Sequence, residues 1–122
     1  MTKPYGVRLE SHEEDTIDFF LRIGKDVKVL TPSNTKRQTS PDIVVDGVLW
    51  EMKSPTSSNR RTIEKRIREA AHQSENIIFD LRRIKDYPDK VEKEIIRQYN
   101  LAKNIRRLVI IRKSGKRLDF VK

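Results

Sequence analysis

Two acids and a lysine lie close together in the stretch PDIVVDGVLWEMK, residues 41–53. Asp46-Gly47 is a strong signal for a two-residue hairpin turn, which fixes the register of the strands on either side. In that register Asp42 faces Glu51, and period-two alternation puts Lys53 on the same face. Carboxylates this close repel each other unless a divalent cation lies between them, and ligation by oxygen alone favours Mg²⁺ or Mn²⁺. The spacing predicts a cation site with a lysine beside it.

A cation and a lysine at one site suit the cleavage of a phosphodiester bond. The scissile phosphate would bind to the metal, and an oxygen nucleophile would be activated there. Lys53 could orient that nucleophile or neutralise charge that develops in the transition state. A lone lysine on an edge strand more often serves to prevent sheets from pairing. The acids opposite and beside Lys53 favour the catalytic interpretation.

Glu13 is the candidate for a third acid at this site. It shares a helical face with Ile17 and Phe20, which must point toward the core. We predict that Glu14 instead closes a capping box with Ser11. An equally good explanation of Glu13 is a first-turn acid that interacts favourably with the helix dipole.

Hydrophobic periodicity and turn signals predict the elements that position these residues. A capped helix over about 11–24 precedes a strand at 26–30 and the hairpin at 41–53, and residues 31–41 are predicted to be irregular. Further elements are a helix from Arg60 to Gln73, a strand at 76–81, a helix that starts near Pro88, and strands at 106–112 and 117–121. The order αβββαβαββ predicts an α/β (α+β) fold, a mixed sheet flanked by helices. The length predicts a single domain over residues 1–122.

The composition favours a polyanionic partner. Lys and Arg total 27 against 18 acids, a net charge of +9. Nucleic acid is the first candidate and an anionic membrane surface the second, although such charge can also serve solubility alone. No apolar run reaches the roughly 18 residues that would span a bilayer, and the N-terminus has no apolar signal segment. The absence of cysteine excludes disulfides and thiolate zinc sites.

The segment after Lys53 could contact the nucleic acid. Its hydroxyls are suitable phosphate donors, and its basic residues cover a helix away from the isoleucine stripe. Equally good explanations are a turn with an N-cap and an ordinary solvated helix face. The candidate residues are Ser54, Thr56, Ser57, Ser58, Arg60, Arg61, Lys65 and Arg68.

The motif resembles a known nuclease signature. Pro41-Asp42, followed after eight residues by Glu51-x-Lys53, is similar to the PD-(D/E)XK pattern. The wider pattern E-x-x-x-I…G-x-D-V, P-D and E-M-K-S-P-T-S-S, with a basic helix and a Gln before a strand, resembles the C-terminal tRNase domain of CdiA toxins of contact-dependent growth inhibition.

That resemblance implies a restriction-endonuclease-like core and a Mg²⁺-dependent RNase that acts on tRNA. It implies Glu13, Asp42, Glu51 and Lys53 as catalytic residues, the three acids as metal ligands and Gln73 as an auxiliary residue. A cognate immunity protein would block the site, and we expect it to be acidic because the domain is basic. Action in a bacterial cytoplasm follows, which could be that of a target cell after delivery.

Physical reasoning alone predicts cleavage of a polyanion and does not choose RNA over DNA. A DNA endonuclease of the same superfamily, such as a resolvase or restriction-like enzyme, is the first alternative. A nucleic-acid-binding module with this fold and no catalytic activity is the second.

Overall fold

The computed structural model describes residues 1–31, 42–86 and 88–122. Pro41 and nearly all of the stretch predicted to be irregular, residues 31–41, lie outside these ranges. The element order is αβββαβαββ, as predicted. The elements are α1 (Ser11–Arg22), β1 (Val27–Val29), β2 (Ile43–Val45), β3 (Val48–Lys53), α2 (Arg60–Gln73), β4 (Asn76–Asp80), α3 (Pro88–Leu101), β5 (Arg107–Ile111) and β6 (Arg117–Val121).

The strands form one mixed sheet of six strands in chain order, β1 to β6. Strands β3, β4 and β5 are parallel, and α2 and α3 connect them. The outer pairings, β1 with β2, β2 with β3, and β5 with β6, are antiparallel. Because parallel strands end at the same edge of a sheet, the segments that follow Lys53 and Asp80 are brought together.

The two faces of the sheet pack against different helices. Helices α2 and α3 bury Ile77 and Phe79 on one face, and α1 buries Met52 and Ile78 on the other. Since side chains alternate along a strand, Met52 points toward α1 while its neighbours on β3 point toward α2. The fold therefore places Glu51 and Lys53 on the α2 face of the sheet. None of the helices in the described ranges is long and apolar enough to cross a membrane.

The N-terminal cap of α1 differs from the prediction. Ser11 is the first helical residue, and the capping box is formed by Glu10 and Glu13. The backbone N–H of Glu10 donates to Glu13 Oε1 at 2.9 Å. The predicted box of Ser11 with Glu14 is therefore wrong. Glu10 begins an E-x-x-E pattern one residue earlier, and a glutamate carboxylate can accept the same amide hydrogen bond as a serine hydroxyl.

Candidate active site

The hairpin that carries the motif forms with the predicted turn. Asp46 and Gly47 both have positive φ, at 47° and 84°, as a type I′ turn requires. The register pairs Ile43 with Trp50 and Val45 with Val48, as predicted. The regular ladder ends at the pair Ile43 and Trp50, because the carbonyl oxygen of Trp50 also accepts the N–H of Asp42 at 3.0 Å.

Asp42 is therefore not the ladder partner of Glu51, and that part of the predicted register is wrong. Asp42, just ahead of β2, and Ile43 both oppose Trp50, as in a β-bulge. The Asp42 side chain compensates for the lost pairing, since its Oδ2 accepts the N–H of Met52 at 2.9 Å. This bond holds the Asp42 carboxylate against β3, next to Glu51.

Glu51 is a buried carboxylate with an unsatisfied oxygen. It is 5% exposed, and its Oε1 has no hydrogen-bond partner among the described residues. Burial, followed by the Asp42 carboxylate, raises the pKa of Glu51 to about 8, although the Lys53 ammonium partly offsets the rise. Leaving a buried polar atom unpaired costs about 1–3 kcal/mol. The unpaired Oε1 of Glu51 therefore costs stability.

The oxygen donors of Asp42 and Glu51 fit a small divalent cation. Mg²⁺ is commonly bound through one or two carboxylates, while water and substrate phosphate complete its coordination. Within residues 1–31, 42–86 and 88–122, no three His, Cys, Asp or Glu side chains come together as a ligand group. The structure brings together two of the predicted acids, and the role of Glu13 as the third ligand stays a prediction.

Lys53 lies between two carboxylates. Its Nζ is 3.5 Å from Glu51 Oε2, which agrees with the predicted shared face, and 3.7 Å from Glu69 Oε2 on α2. Arg66 also binds Glu69, with Nη1 3.1 Å from Oε2. Sequence reasoning missed Glu69. The available signal was its position beside Ala70, at the edge of the apolar stripe of α2.

A polar cavity of about 330 Å³ opens beside Lys53, at the C-terminal edge of β3. We name it the Lys53 cavity. Glu13 lines it, although Glu13 Oε1 is already bonded to the cap of α1. Its lining residues are His12, Glu13, Met52, Lys53, Ser54, Pro55, Thr56, Thr62, Arg66 and Arg83.

Of the hydroxyl residues predicted to bind nucleic acid, Ser54 and Thr56 line this cavity. Ser57 has a local structural role, because its Oγ accepts the N–H of Asn59 at 3.0 Å. Ser58 is half-buried ahead of α2 and is not one of the lining residues. Asn59 caps α2, accepting the N–H of Arg61 at 2.8 Å.

The predicted basic residues of α2 do not line the Lys53 cavity. Arg60 Nε lies 3.3 Å from Glu64 and 3.5 Å from Glu94, so acids already neutralise it. Lys65 lies 4.0 Å from Glu69, Arg61 is exposed, and Arg68 borders a separate cavity between α2 and α3.

The cavity's arginines are instead Arg66, from the basic face of α2, and Arg83, which follows β4. Gln73 ends α2, half-buried, and is not one of the cavity's lining residues, so its auxiliary role stays a prediction.

A second cavity, of about 340 Å³, lies at the opposite end of β3. Its walls are largely apolar and include Trp50 and Phe120. Its ionic side chains are mostly paired, with Lys25 3.5 Å from Asp46 and Arg117 3.1 Å from Asp119. Half-buried Asp42 and buried Glu51 lie toward the other end of the strand, next to Lys53, so the Lys53 cavity is the candidate active site.

Comparison with known proteins identifies the family. The family model for the contact-dependent growth inhibition CdiA C-terminal domain matches residues 38–117. The chain belongs to this family. The resemblance to CdiA C-terminal toxin domains is thereby confirmed, and membership supports a toxin role of the nuclease type in a bacterial system.

The fold is shared with a solved structure, titled "CdiA-CT/CdiI toxin and immunity complex from Burkholderia pseudomallei". The TM-score is 0.66 at 20% identity, and the match covers 100% of this chain and 98% of that chain. A search of curated proteins gave no match.

Proposed function

We propose that this domain is a metal-dependent endonuclease that cleaves phosphodiester bonds in tRNA, as the toxin of a contact-dependent growth inhibition system. One observation carries the proposal: the buried carboxylate of Glu51 adjoins that of Asp42 and lies 3.5 Å from the Lys53 ammonium, beside a basic cavity.

Asp42 and Glu51 have a different role from Lys53 in this proposal. Asp42 and Glu51 would hold Mg²⁺ or Mn²⁺, and Glu13, which lines the Lys53 cavity, is a further candidate ligand. When bound, the cation supplies Lewis-acid activation and neutralises negative charge at the scissile phosphate. The two carboxylates hold a site for it that requires no rearrangement of the hairpin, because the Met52 amide already fixes Asp42.

Lys53 acts on the phosphate from the cavity side. Glu51 and Glu69 flank its ammonium group and hold it beside the cavity. A positive charge held in a partly buried site stabilises developing negative charge more strongly than it would in water. Lys53 would also orient the attacking oxygen.

The choice of tRNA rests on the sequence resemblance to the CdiA C-terminal tRNase domain, and the charge supports a polyanion in general. The net charge of +9 agrees with electrostatic attraction of nucleic acid. The matched structure is titled as a complex of a toxin with its immunity protein. For this chain we propose an acidic immunity protein that covers the Lys53 cavity, and action in the cytoplasm of a target cell.

The test is incubation of the purified domain with tRNA and, separately, with supercoiled plasmid, each in Mg²⁺ or EDTA. Asp42→Asn and Glu51→Gln, purified in the same way, control for contaminating nucleases. Asp119→Asn, which changes an acid at the other cavity, is the matched surface control. We expect Mg²⁺-dependent tRNA cleavage by the parent and the control only.

Each other outcome removes a defined part of the proposal. Cleaved plasmid with intact tRNA would replace tRNA by DNA as the substrate. Full activity of both Asp42→Asn and Glu51→Gln would exclude the carboxylate pair as the catalytic site. Sequencing of the RNA ends would then locate the cut.

A further inference from the structure

The Lys53 cavity has a second basic wall, which is formed by the segment that follows β4. The parallel pairing of Lys53 with Phe79 brings this segment beside Ser54. Arg82 and Arg83 are consecutive there, and they point to different partners. Arg82 turns inward, where its guanidinium binds Asp80 through Nε at 2.9 Å and Nη2 at 2.7 Å.

Arg83 turns toward the cavity. Its Nη1 donates to the carbonyl oxygen of Ser54 at 3.1 Å, one residue after the catalytic lysine. No other hydrogen bond and no acid within ion-pair distance engages Arg83 among the described residues. Lys53 and Arg66 both contact Glu69. Among the described lysine and arginine residues that line the cavity, Arg83 is therefore the one without a carboxylate partner.

The remaining walls suit an anion with oxygen acceptors. Hydroxyls of Ser54, Thr56 and Thr62 line the cavity with Arg66, and Glu13 is its one acidic lining residue among those described. A second depression, of about 250 Å³, lies on the other side of His12 and Arg83. Its three acids equal its three arginines in number, whereas the Lys53 cavity has three cationic side chains and one acid, which makes this depression the poorer path for a phosphate chain. The acids are Asp15, Asp18 and Asp80.

We propose that Arg83 binds the phosphate next to the scissile one, so that the RNA backbone crosses the Lys53 cavity between Lys53 and Arg83. The bond to Ser54 ties the guanidinium to the backbone beside Lys53. It thereby fixes the separation between the reacting phosphate and its neighbour. This inference rests on the proposed function, since Lys53 defines the scissile position.

The test measures binding without cleavage. Fluorescently labelled tRNA is titrated in EDTA with domains that all carry Asp42→Asn, and anisotropy is followed over a range of salt concentrations. Arg83→Gln should weaken binding about tenfold at low salt and reduce the slope of log Kd against log salt by about one. Arg83→Lys should keep most of the slope, because the charge remains.

Arg106→Gln is the matched control. Arg106 is an exposed arginine just ahead of β5, at the opposite edge of the sheet, and its loss changes the net charge by the same amount. We expect its affinity and salt slope to equal those of the parent. Thermal unfolding of each variant verifies that the fold is intact.

The outcomes separate this inference from the proposed function. Equal affinity and slope for Arg83→Gln and Arg106→Gln would overturn the phosphate site, whether or not the parent cleaves RNA. A selective loss in Arg83→Gln supports the site, even if cleavage assays choose another substrate class. Absence of salt-dependent RNA binding by the parent overturns both.

Discussion

Two buried carboxylates, Glu51 and Asp80, lie on neighbouring parallel strands in opposite electrostatic surroundings. They are 5% and 3% exposed, and burial is the largest influence on the pKa of each. Asp80 accepts hydrogen bonds from Thr16 Oγ1 at 2.7 Å and from the guanidinium and backbone of Arg82, and these lower its pKa. Glu51 instead adjoins Asp42, and its pKa rises to about 8.

Under the proposed function, the difference separates a structural acid from a metal-binding one. The oxygens of Asp80 are filled by donors of the protein, and they attach α1 to the end of β4 through Thr16. An oxygen of Glu51 is left without a donor among the described residues, so a partner from outside the chain can fill it. Perturbed carboxylates of this kind concentrate at functional sites.

The largest effect should appear in cleavage. Glu51→Gln should lower the single-turnover rate of RNA cleavage by about 10³-fold, because it removes a ligand charge at the reacting phosphate. Asp80→Asn should stay within about tenfold of the parent at a temperature where it is folded, since Asp80 touches only structural partners. Equal losses in two folded variants would remove the distinction between the two acids.

The next largest effect should appear in stability. Asp80→Ala leaves the half-buried guanidinium of Arg82 without its carboxylate partner and removes the buried acceptor of Thr16, which keeps only His12 O, and it should lower the free energy of unfolding by about 3 kcal/mol. Urea denaturation at pH 7 measures the change. A loss below about 1 kcal/mol would show that Asp80 is not the main attachment of α1.

The two acids should also give pH dependences of opposite sign. Glu51 has a model-peptide pKa of 4.5 and a folded pKa of about 8, so in EDTA it should make stability fall as pH rises between these values. Glu51→Gln should remove that slope, and at pH 8 its free energy of unfolding should exceed that of the parent by about 4 kcal/mol. Urea denaturation from pH 5 to 8 tests this, and a parallel slope in Glu51→Gln would contradict it.

Asp80 should instead make the stability of the fold depend on pH in the acidic range. Its folded pKa lies below its ordinary value of 3.8, so its contribution is present above that pH and is lost as the pH falls through the folded pKa.

The smallest effect should come from Thr16→Val. The exchange preserves shape and removes the hydroxyl that donates to Asp80 and to His12 O, which should cost about 1–2 kcal/mol and leave RNA cleavage at the parental rate. Thermal unfolding with a cleavage assay on the same sample measures both. A large loss of cleavage without a loss of stability would mean that Thr16 has a direct role at the Lys53 cavity.

Much of the fold could be predicted because its signals are local. The Asp46-Gly47 turn and the alternation of β3 determine the register as far as Ile43 and Trp50. The departure of Asp42 could not be predicted, since its side chain takes the place of a backbone acceptor for Met52. The α1 cap was predicted one residue late because two overlapping acid patterns compete for one helix start.

Some contacts of the candidate site could likewise be predicted from the sequence, and others could not. Contact between Glu51 and Lys53 follows from strand alternation alone. Glu69 and Arg83 reach the cavity from other elements, and their approach depends on how α2 and the end of β4 pack, which no local pattern records. For the same reason, the neutralisation of Arg60 by α3 could not be foreseen.

Calorimetric titration of Mn²⁺ into the metal-free domain at pH 7 tests the central claim most directly. The parent and Asp80→Asn should each bind one ion and release close to one proton, since Glu51 is protonated at this pH before the ion binds. Asp42→Asn and Glu51→Gln should bind at least about tenfold more weakly. Unchanged binding in both of these variants would contradict the cation site between Asp42 and Glu51.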